Sequence, residues 1–185
     1  MAKLTPEKFK IKDGREILLR SPEEDDWEKV RDFLEHIKME SKNTYQFPGQ
    51  PVLTQEKAEA RIRDYTASAK KMIVNAIYEN RFIAQMDFGP VHLIEDHPWL
   101  KHNCYFGMTV LKEFWQQGIA KKLLETLERE AKKMGYIYIR AEVRESNERG
   151  VKLYTNFGFE ITGTKKEFAY IDGEYHNDLY ISKKI

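Results

Sequence analysis

Residues 104–143 constrain the fold of this chain more than any other stretch. CYFGMTV (104–110) reads as a strong strand. After a short turn comes a helix, about 118 to 134, that keeps Ile119, Leu123, Leu124, Leu127, Ala131 and Met134 on one face and has Gly135 as its C-terminal cap. YIYIRAEV (136–143) then alternates as a strand. Strand, helix and strand in this order form a crossover, and such crossovers join parallel strands in a right-handed sense.

The flanks supply antiparallel elements. FKIKDGREILLRS (9–21) reads as a hairpin around a two-residue Asp13-Gly14 turn. Ser21 is placed as N-cap and Pro22 as the first residue of a helix carrying Trp27, Val30, Phe33, Leu34 and Ile37 to about Met39. The polar stretch 41–53, with Pro48, Gly49 and Pro51, is a loop. A second helix starts at the N-cap Thr54 and runs through Ala58, Ile62 and Tyr65 to about Lys70, with Lys57 where a capping box needs Glu or Gln. MIVNAIY (72–78) and RFIAQMDF (81–88) flank Glu79-Asn80 as a hairpin, and 89–103 is polar and turn-rich. Beyond the crossover come a short helix at about 148–156, closed by Gly158, and two strands joined through Asp172-Gly173. The expected fold class is α/β (α+β), with a mixed, mostly antiparallel central sheet of about seven strands and about four helices.

The 185 residues suit a single domain, 1–185, and 41% hydrophobic with 33% charged residues fits a folded globular chain. Lys plus Arg total 31 against 30 for Asp plus Glu, a net charge of +1. That balance gives no general electrostatic reason to expect nucleic acid or an acidic membrane as partner. Cys104, the only cysteine, excludes an internal disulfide and a four-cysteine zinc site. Without an apolar leader or a run of about 20 apolar residues, the expected location is the cytoplasm.

Two segments carry chemistry. In MTVLKEFWQQGIAKKLL (108–124) a strand ends at Val110 and a helix begins near Gly118. The free N–H groups of a helix start, with their partial positive charge, suit a phosphate or pyrophosphate. Gly118 lets backbone approach a ligand, Ala120 keeps the first turn small, and Lys121 and Lys122 add charge. Neither GxxxxGK[ST] nor GxGxxG is present, so this is not a nucleotide P-loop or a dinucleotide fingerprint. Spacing alone does not separate it from an ordinary strand-to-helix connection with Gly118 present for packing. Gly107 marks either a bulge, which frees strand N–H and C=O groups for an extended amide ligand, or a packing glycine. In RAEVRESNERGVKLYTNFGF (140–159), Glu142 shares a strand face with Tyr138 and Arg140, and Asn147 lies two helical turns from Tyr154. Leu153 and Phe157 are assigned to the core. Tyr154 is either a ligand-facing hydroxyl or a core tyrosine, and Glu142 is either a working carboxylate or the partner of Arg140 or Arg144.

Together these residues resemble the GNAT superfamily of acyl-CoA-dependent N-acetyltransferases, in element order across nearly the whole chain and in both motifs. FWQQGIAKKLL looks like the acetyl-CoA pyrophosphate motif: Gly118 and Ala120 match, and Trp115 stands where Gln or Arg is usual, a departure tolerated in branches similar to the ribosomal-protein N-terminal acetyltransferases. NERGVKLYTNFGF looks like NxxAxxLYxxxGF, with Asn147, Leu153, Tyr154, Gly158 and Phe159 matching and Gly150 replacing the usual Ala. The resemblance implies a GNAT-like fold and acetyl-CoA as co-substrate. It also implies backbone binding of the pyrophosphate by Gln116, Gln117, Gly118, Ile119 and Ala120, and of the pantetheine arm by Met108 and Val110. Asn147 would contact the cofactor, and Tyr154 would act as general acid at the sulfur.

The base is assigned first to Glu142, directly or through water, with a raised pKa. Glu40, in the loop after the first helix, is the second candidate, followed by His102 and His92. His92, His97 and His102 lack an HxxxH pair, so a solvated loop is preferred to a metal site. Lys132-Lys133 and Lys165-Lys166 read as solvated faces. The expected acceptor is a small-molecule amine or a protein N-terminus or lysine. Tyr45, Phe47 and Trp99 could line its mouth, and Glu40, Asp172, Glu174 and Asp178 hint at an acidic pocket. The alternative is a non-catalytic acyl-CoA sensor or scaffold. Monomer and homodimer both stay open, the sheet edge at the last strand offering a pairing surface.

Overall fold

The structure, a computed structural model, describes residues 3–91 and 95–185. Its elements run β1 (Glu7–Lys10), β2 (Glu16–Arg20), α1 (Trp27–Glu40), α2 (Gln55–Ala67), β3 (Met72–Tyr78), β4 (Arg81–Pro90), β5 (Asn103–Val110), α3 (Ile119–Lys133), β6 (Tyr138–Arg144), α4 (Glu148–Asn156), β7 (Glu160–Ile171) and β8 (Glu174–Lys184). Eight strands are present among the described residues, against the seven or so expected. The chain groups into two compact units: residues up to 89 with 107–123, and residues 90–106 with 124–185.

In the first unit the strand order is β1-β2-β3-β4, antiparallel throughout, with β5 after β4. β3 and β4 are buried on both faces, as their near-continuous apolar runs require. Val74, Ala76, Phe82, Ala84, Met86 and Phe88 form their share of the core, and α1 adds Val30, Phe33 and Ile37. Burying side chains of this size is worth about 1.5–3 kcal/mol each. Asn75 and Gln85 lie in that core as a bonded pair, Gln85 Nε2 donating to Asn75 Oδ1 at 2.9 Å.

The second unit has the order β5-β6-β8-β7. β5 and β6 are parallel, as the crossover through α3 demands, and the other two pairings are antiparallel. The β5–β6 ladder covers only Asn103–Tyr105 opposite Tyr138–Arg140, while β6 stays paired with β8 as far as Arg144. The last strand is therefore interior. β7, not β8, is the edge, which moves the expected pairing surface to β7.

Turn chemistry decides several local outcomes. Glu79-Asn80 (φ 47 and 62) and Asp172-Gly173 (φ 55 and 88) have both central residues left-handed, the two-residue hairpin turn that matches strand twist. Asp13-Gly14 behaves differently. Only Gly14 has positive φ, its N–H donates to the Ile11 carbonyl at 2.9 Å, and the ladder closes at Lys10–Glu16, so the loop is five residues long. Asp13 is diverted because its carboxylate accepts from the Arg15 backbone and guanidinium.

Ser21 does not cap a helix either. Its hydroxyl accepts from the Leu4 N–H at 3.0 Å, a short 3₁₀ turn occupies Glu24–Asp26, and α1 begins at Trp27. Asp26 organises that start. Its carboxylate accepts from Arg20 at 2.5 and 2.9 Å, from Lys29 at 2.8 Å and from the Glu23 N–H at 2.9 Å. Burial alone would push its pKa up; the Arg20 hydrogen bond, aided by Glu23 and Lys29, wins and lowers it to about 2.

A folded pKa below the unfolded value contributes stability that is full above the unfolded pKa, near 4, and is lost as pH falls through the folded one. Asp26→Asn should therefore cost about 2 kcal/mol at neutral pH. In denaturant titrations the gap from the parent should close between pH 4 and pH 2.

Candidate functional site

The start of α3, in the first unit, is shaped by backbone conformation. Gln116 has φ 63 and Gly118 has φ 95. A Cβ added to Gly118 would meet nothing within 4 Å. Packing therefore does not explain this glycine; its left-handed φ does. Gln117 anchors the loop to the β1–β2 hairpin, its carbonyl accepting from the Lys12 N–H at 3.3 Å and its side-chain Oε1 from the Asp13 N–H at 3.2 Å. The Gly118 carbonyl accepts from the Lys122 N–H at 3.0 Å. The N–H groups of Ile119 and Ala120 precede that first turn and have no place in the intrahelical ladder. Ile119 is buried and pins the turn, while Gln116 and Gly118 are exposed. Lys122 is committed to Glu7 at 3.4 Å, and Lys121 is exposed.

Trp115, at the position usually Gln or Arg in the motif, donates its indole N–H to the Val110 carbonyl at 2.7 Å. That bond ties the end of β5 to the loop. Met108 and Val110 are half-buried and lie beyond the last pair of the β5–β6 ladder. Gly107 faces Asp87, whose Oδ1 would stand 3.7 Å from an added Cβ, an ordinary contact. Glu40 closes α1 rather than lying in the loop after it, and its carboxylate accepts from the Lys112 N–H at 2.9 Å. A cleft of about 300 Å³ beside α1, lined by Asp32, Glu35, His36 and Arg81 among others, contains none of the candidate catalytic or cofactor-binding residues.

The second unit holds the remaining candidates. Tyr154 is 9% exposed, on α4. Its ring packs edge-on against Phe106 and Phe159, each at 5.7 Å between centroids, and those two rings are themselves 5.7 Å apart. Its hydroxyl has no hydrogen-bond partner among the described residues. Burial pushes its pKa up to about 12, so it stays protonated at any working pH and can only donate or accept as a neutral hydroxyl. Leu153 and Phe157, expected in the core, are half-exposed, and Phe159 takes the buried place.

Asn147 is the N-cap of α4, not a residue on its face. Its Oδ1 accepts from the Gly150 N–H at 3.1 Å. A Cβ on residue 150 would lie 2.5 Å from Asn147 Nδ2 and 2.9 Å from its Cγ. Gly150 is thus what allows this cap conformation, rather than a neutral stand-in for alanine.

Glu142 projects on the half-buried face of β6, as the alternation implies. Its partner is neither Arg140, which donates to Asn103 Oδ1, nor Arg144, which makes a buried pair with Asp178 at 2.5 Å. Both oxygens accept instead from Lys165, at 2.6 and 2.7 Å. Lys165 is therefore not on a solvated face, and sequence reasoning missed it. The available signal was cross-strand: Glu142 stands opposite Tyr180 on β8, and Lys165 opposite Asp178, two residues along the same strand. Lys132 and Lys133 do lie on a solvated helix face, paired with Glu128 and Glu130. Asp178, buried against Arg144, leaves the acidic-pocket group, whereas Asp172 and Glu174 are exposed beside a turn.

Tyr45, Phe47 and Trp99 are exposed. His97 Nδ1 accepts from the Trp99 N–H at 3.3 Å, the His102 ring contacts Tyr138, and His92 lies outside the described residues. Among the described residues no three metal-binding side chains gather, and no helix is long and apolar enough to cross a membrane.

Comparison with known proteins gives the class. The acetyltransferase (GNAT) family profile matches residues 28–159, and the chain belongs to that family. An L-amino acid N-acetyltransferase of Escherichia coli is 30% identical over 91 residues, 49% of this chain and 56% of that protein, so the chain spans just over half the length of the curated relative it matches.

Solved structures share the fold. A GNAT-family acetyltransferase from Streptococcus pneumoniae superposes with TM-score 0.84 at 22% identity, covering 91% of this chain and 99% of that one. A ribosomal-protein-alanine N-acetyltransferase from Brucella melitensis gives 0.77 at 18%, covering 90% and 99%. A phosphinothricin acetyltransferase from Sinorhizobium meliloti in complex with acetyl-CoA gives 0.76 at 17%, covering 90% and 87%. The mixed, mostly antiparallel α/β architecture is the GNAT fold.

The Asn147 cap can be checked by a double-mutant cycle. Asn147→Ala should cost about 1 kcal/mol in the native chain, the usual worth of an N-cap. On a Gly150→Ala background, where the amide has been forced off the cap, the same substitution should cost clearly less in chemical denaturation.

Proposed function

We infer that this chain transfers the acetyl group of acetyl-CoA to a primary amine by direct attack. The observation that carries the reading is the start of α3, where two left-handed residues and an open face at Gly118 present backbone N–H groups to an anion. In this reading Gln116, Gln117, Gly118, Ile119 and Ala120 hold the pyrophosphate of acetyl-CoA through backbone, and Met108 and Val110 pair with its pantetheine arm. Asn147 contacts the cofactor through its amide.

The chemistry follows from what each group can do. The acceptor ammonium must first lose a proton, to Glu142 or to water that Glu142 orients. The free amine then attacks the thioester carbon, and the Val110 N–H stabilises the oxyanion. Collapse expels the CoA thiolate toward Tyr154, the acid of this scheme. A thiol ionises near 8.5 and Tyr154 near 12, so full transfer from the phenol to the thiolate runs uphill by about 5 kcal/mol. Tyr154 therefore works mainly by a hydrogen bond that strengthens as charge builds on sulfur, and the proton that finally neutralises the thiolate comes from the acylated nitrogen.

The names of the relatives point to amine acceptors of several kinds, and the acceptor is assigned only as a small-molecule amine or a protein N-terminus or lysine. Trp115 favours the branch similar to ribosomal-protein acetyltransferases. The cytoplasm remains the proposed location, a reducing compartment being where a free, unpaired cysteine such as the buried Cys104 is ordinary.

The direct test is thermal. Acetyl-CoA at about 100 times its Kd should add about 2.7 kcal/mol of stability, and no rise in midpoint at millimolar acetyl-CoA would overturn the reading. Tyr154→Phe should lower kcat by about 10²-fold or more with acetyl-CoA affinity little changed. Because Tyr154 stays protonated, the native pH–rate profile should show no alkaline limb from it below pH 10; an unchanged kcat in the phenylalanine variant would remove it from the chemistry.

A further inference from the structure

The surroundings of Lys165 are built for an ammonium group. Its Nζ donates to both oxygens of Glu142 and also lies 4.3 Å from the centre of the Phe168 ring and 5.1 Å from that of Tyr180. Two charge-assisted hydrogen bonds and two aromatic faces are the elements of a cation cage. The ion pair is mostly shielded, with the Lys165 side chain 25% and the Glu142 side chain 15% exposed.

The backbone goes out of its way to make this cage. Lys165 and Phe168 are three residues apart, a spacing that puts side chains on opposite faces of a regular strand. β7 breaks register here: Lys165 pairs with Asp178 but Ala169 pairs with His176, so 166–168 stand opposite the single residue 177. Glu167 takes φ 53, and its N–H is held by Asn177 Oδ1 at 2.8 Å. This bulge returns Phe168 to the ammonium. On the other side Gly163 leaves room for the Tyr180 ring, which would stand 3.3 Å from a Cβ there.

We propose that Glu142, Phe168 and Tyr180 form a receptor for a primary alkylammonium group, and that Lys165 is its internal occupant in the unliganded protein. The acceptor enters as its ammonium by displacing Lys165, and so arrives against the carboxylate that takes its proton: R–NH₃⁺ and Glu142 carboxylate become R–NH₂ and Glu142 carboxylic acid. This names cationic primary amines as the acceptor class and Lys165 as the residue that sets the threshold for admitting them. It rests on the reading of Glu142 as the acceptor-side carboxylate. The Lys165 ammonium, held charged by Glu142, is protected as long as it sits in the cage, so it is a competitor of the acceptor rather than a nucleophile.

The test uses the full chain without acetyl-CoA, so it is independent of whether the cofactor binds or turns over. Lys165→Ala, and Lys165→Met as a variant that keeps the apolar stem, are titrated calorimetrically with n-butylammonium chloride and with n-pentanol as the uncharged control, after each variant's cooperative unfolding has been verified. The expected result is at least tenfold tighter n-butylammonium binding in a folded Lys165 variant than in the native chain, no such gain for n-pentanol, and loss of the gain when Glu142→Gln is added. Equal or weaker n-butylammonium binding in the folded variants, or a gain that survives Glu142→Gln, overturns the cage. If cage binding holds while acetyl-CoA fails to raise the thermal midpoint, the ammonium site stands and the acetyl-transfer reading falls.

Discussion

The start of α3 depends on a backbone that few residues tolerate. Gln116 sits at φ 63, a conformation that costs a side-chain-bearing residue of order 1 kcal/mol or more, and Gly118 follows two residues later at φ 95. That strain needs an external hold. Gln117 provides it by binding the β1–β2 hairpin twice, and Trp115 by binding the end of β5. The hairpin's own irregular turn, with Asp13 locked by Arg15, is what presents the Lys12 and Asp13 N–H groups to Gln117. A departure from simple turn chemistry at one end of the chain thus supports a departure from simple helix chemistry more than a hundred residues later.

Tyr154 shows the opposite strategy. The aromatic triangle with Phe106 and Phe159 fixes the ring through apolar contact, with each ring pair adding roughly 0.5–1.5 kcal/mol beyond burial. No polar contact among the described residues fixes the hydroxyl. Position comes from packing, not from a polar anchor. The same burial raises the pKa, which narrows the hydroxyl to a donor that does not ionise.

Local signals in the sequence were read well where one interaction dominates. Thr54 caps α2 by accepting from the Lys57 N–H, and Glu79-Asn80 and Asp172-Gly173 form the tight turns their residues favour. Signals failed where a distant group competes. Ser21 resembles an N-cap until Leu4 takes its hydroxyl, and Asp13-Gly14 resembles a two-residue turn until Arg15 takes the carboxylate. The two candidate motifs are contiguous, which is why a sequence can display them. Lys165 was not, since its partner lies 23 residues away across two strands and its second aromatic neighbour arrives through a bulge that no alternation pattern encodes. Gly150 was legible as a departure, but its reason, an amide folded over the helix start, is visible only in three dimensions.

Two side chains assigned to ligands already have partners within the chain: Asn147 caps α4 and Glu142 holds Lys165. A ligand that takes over any of these exchanges one hydrogen bond for another, and an exchanged bond contributes little net free energy. Such groups discriminate between ligands more than they raise affinity, because a ligand lacking the right donor or charge leaves an internal bond broken with nothing in return. The Tyr154 hydroxyl has no internal bond to give up. A hydrogen bond it makes in a complex replaces one to water, and one that grows as negative charge develops on its partner favours a transition state over a ground state. A donor with no internal partner is therefore better suited to rate than to binding.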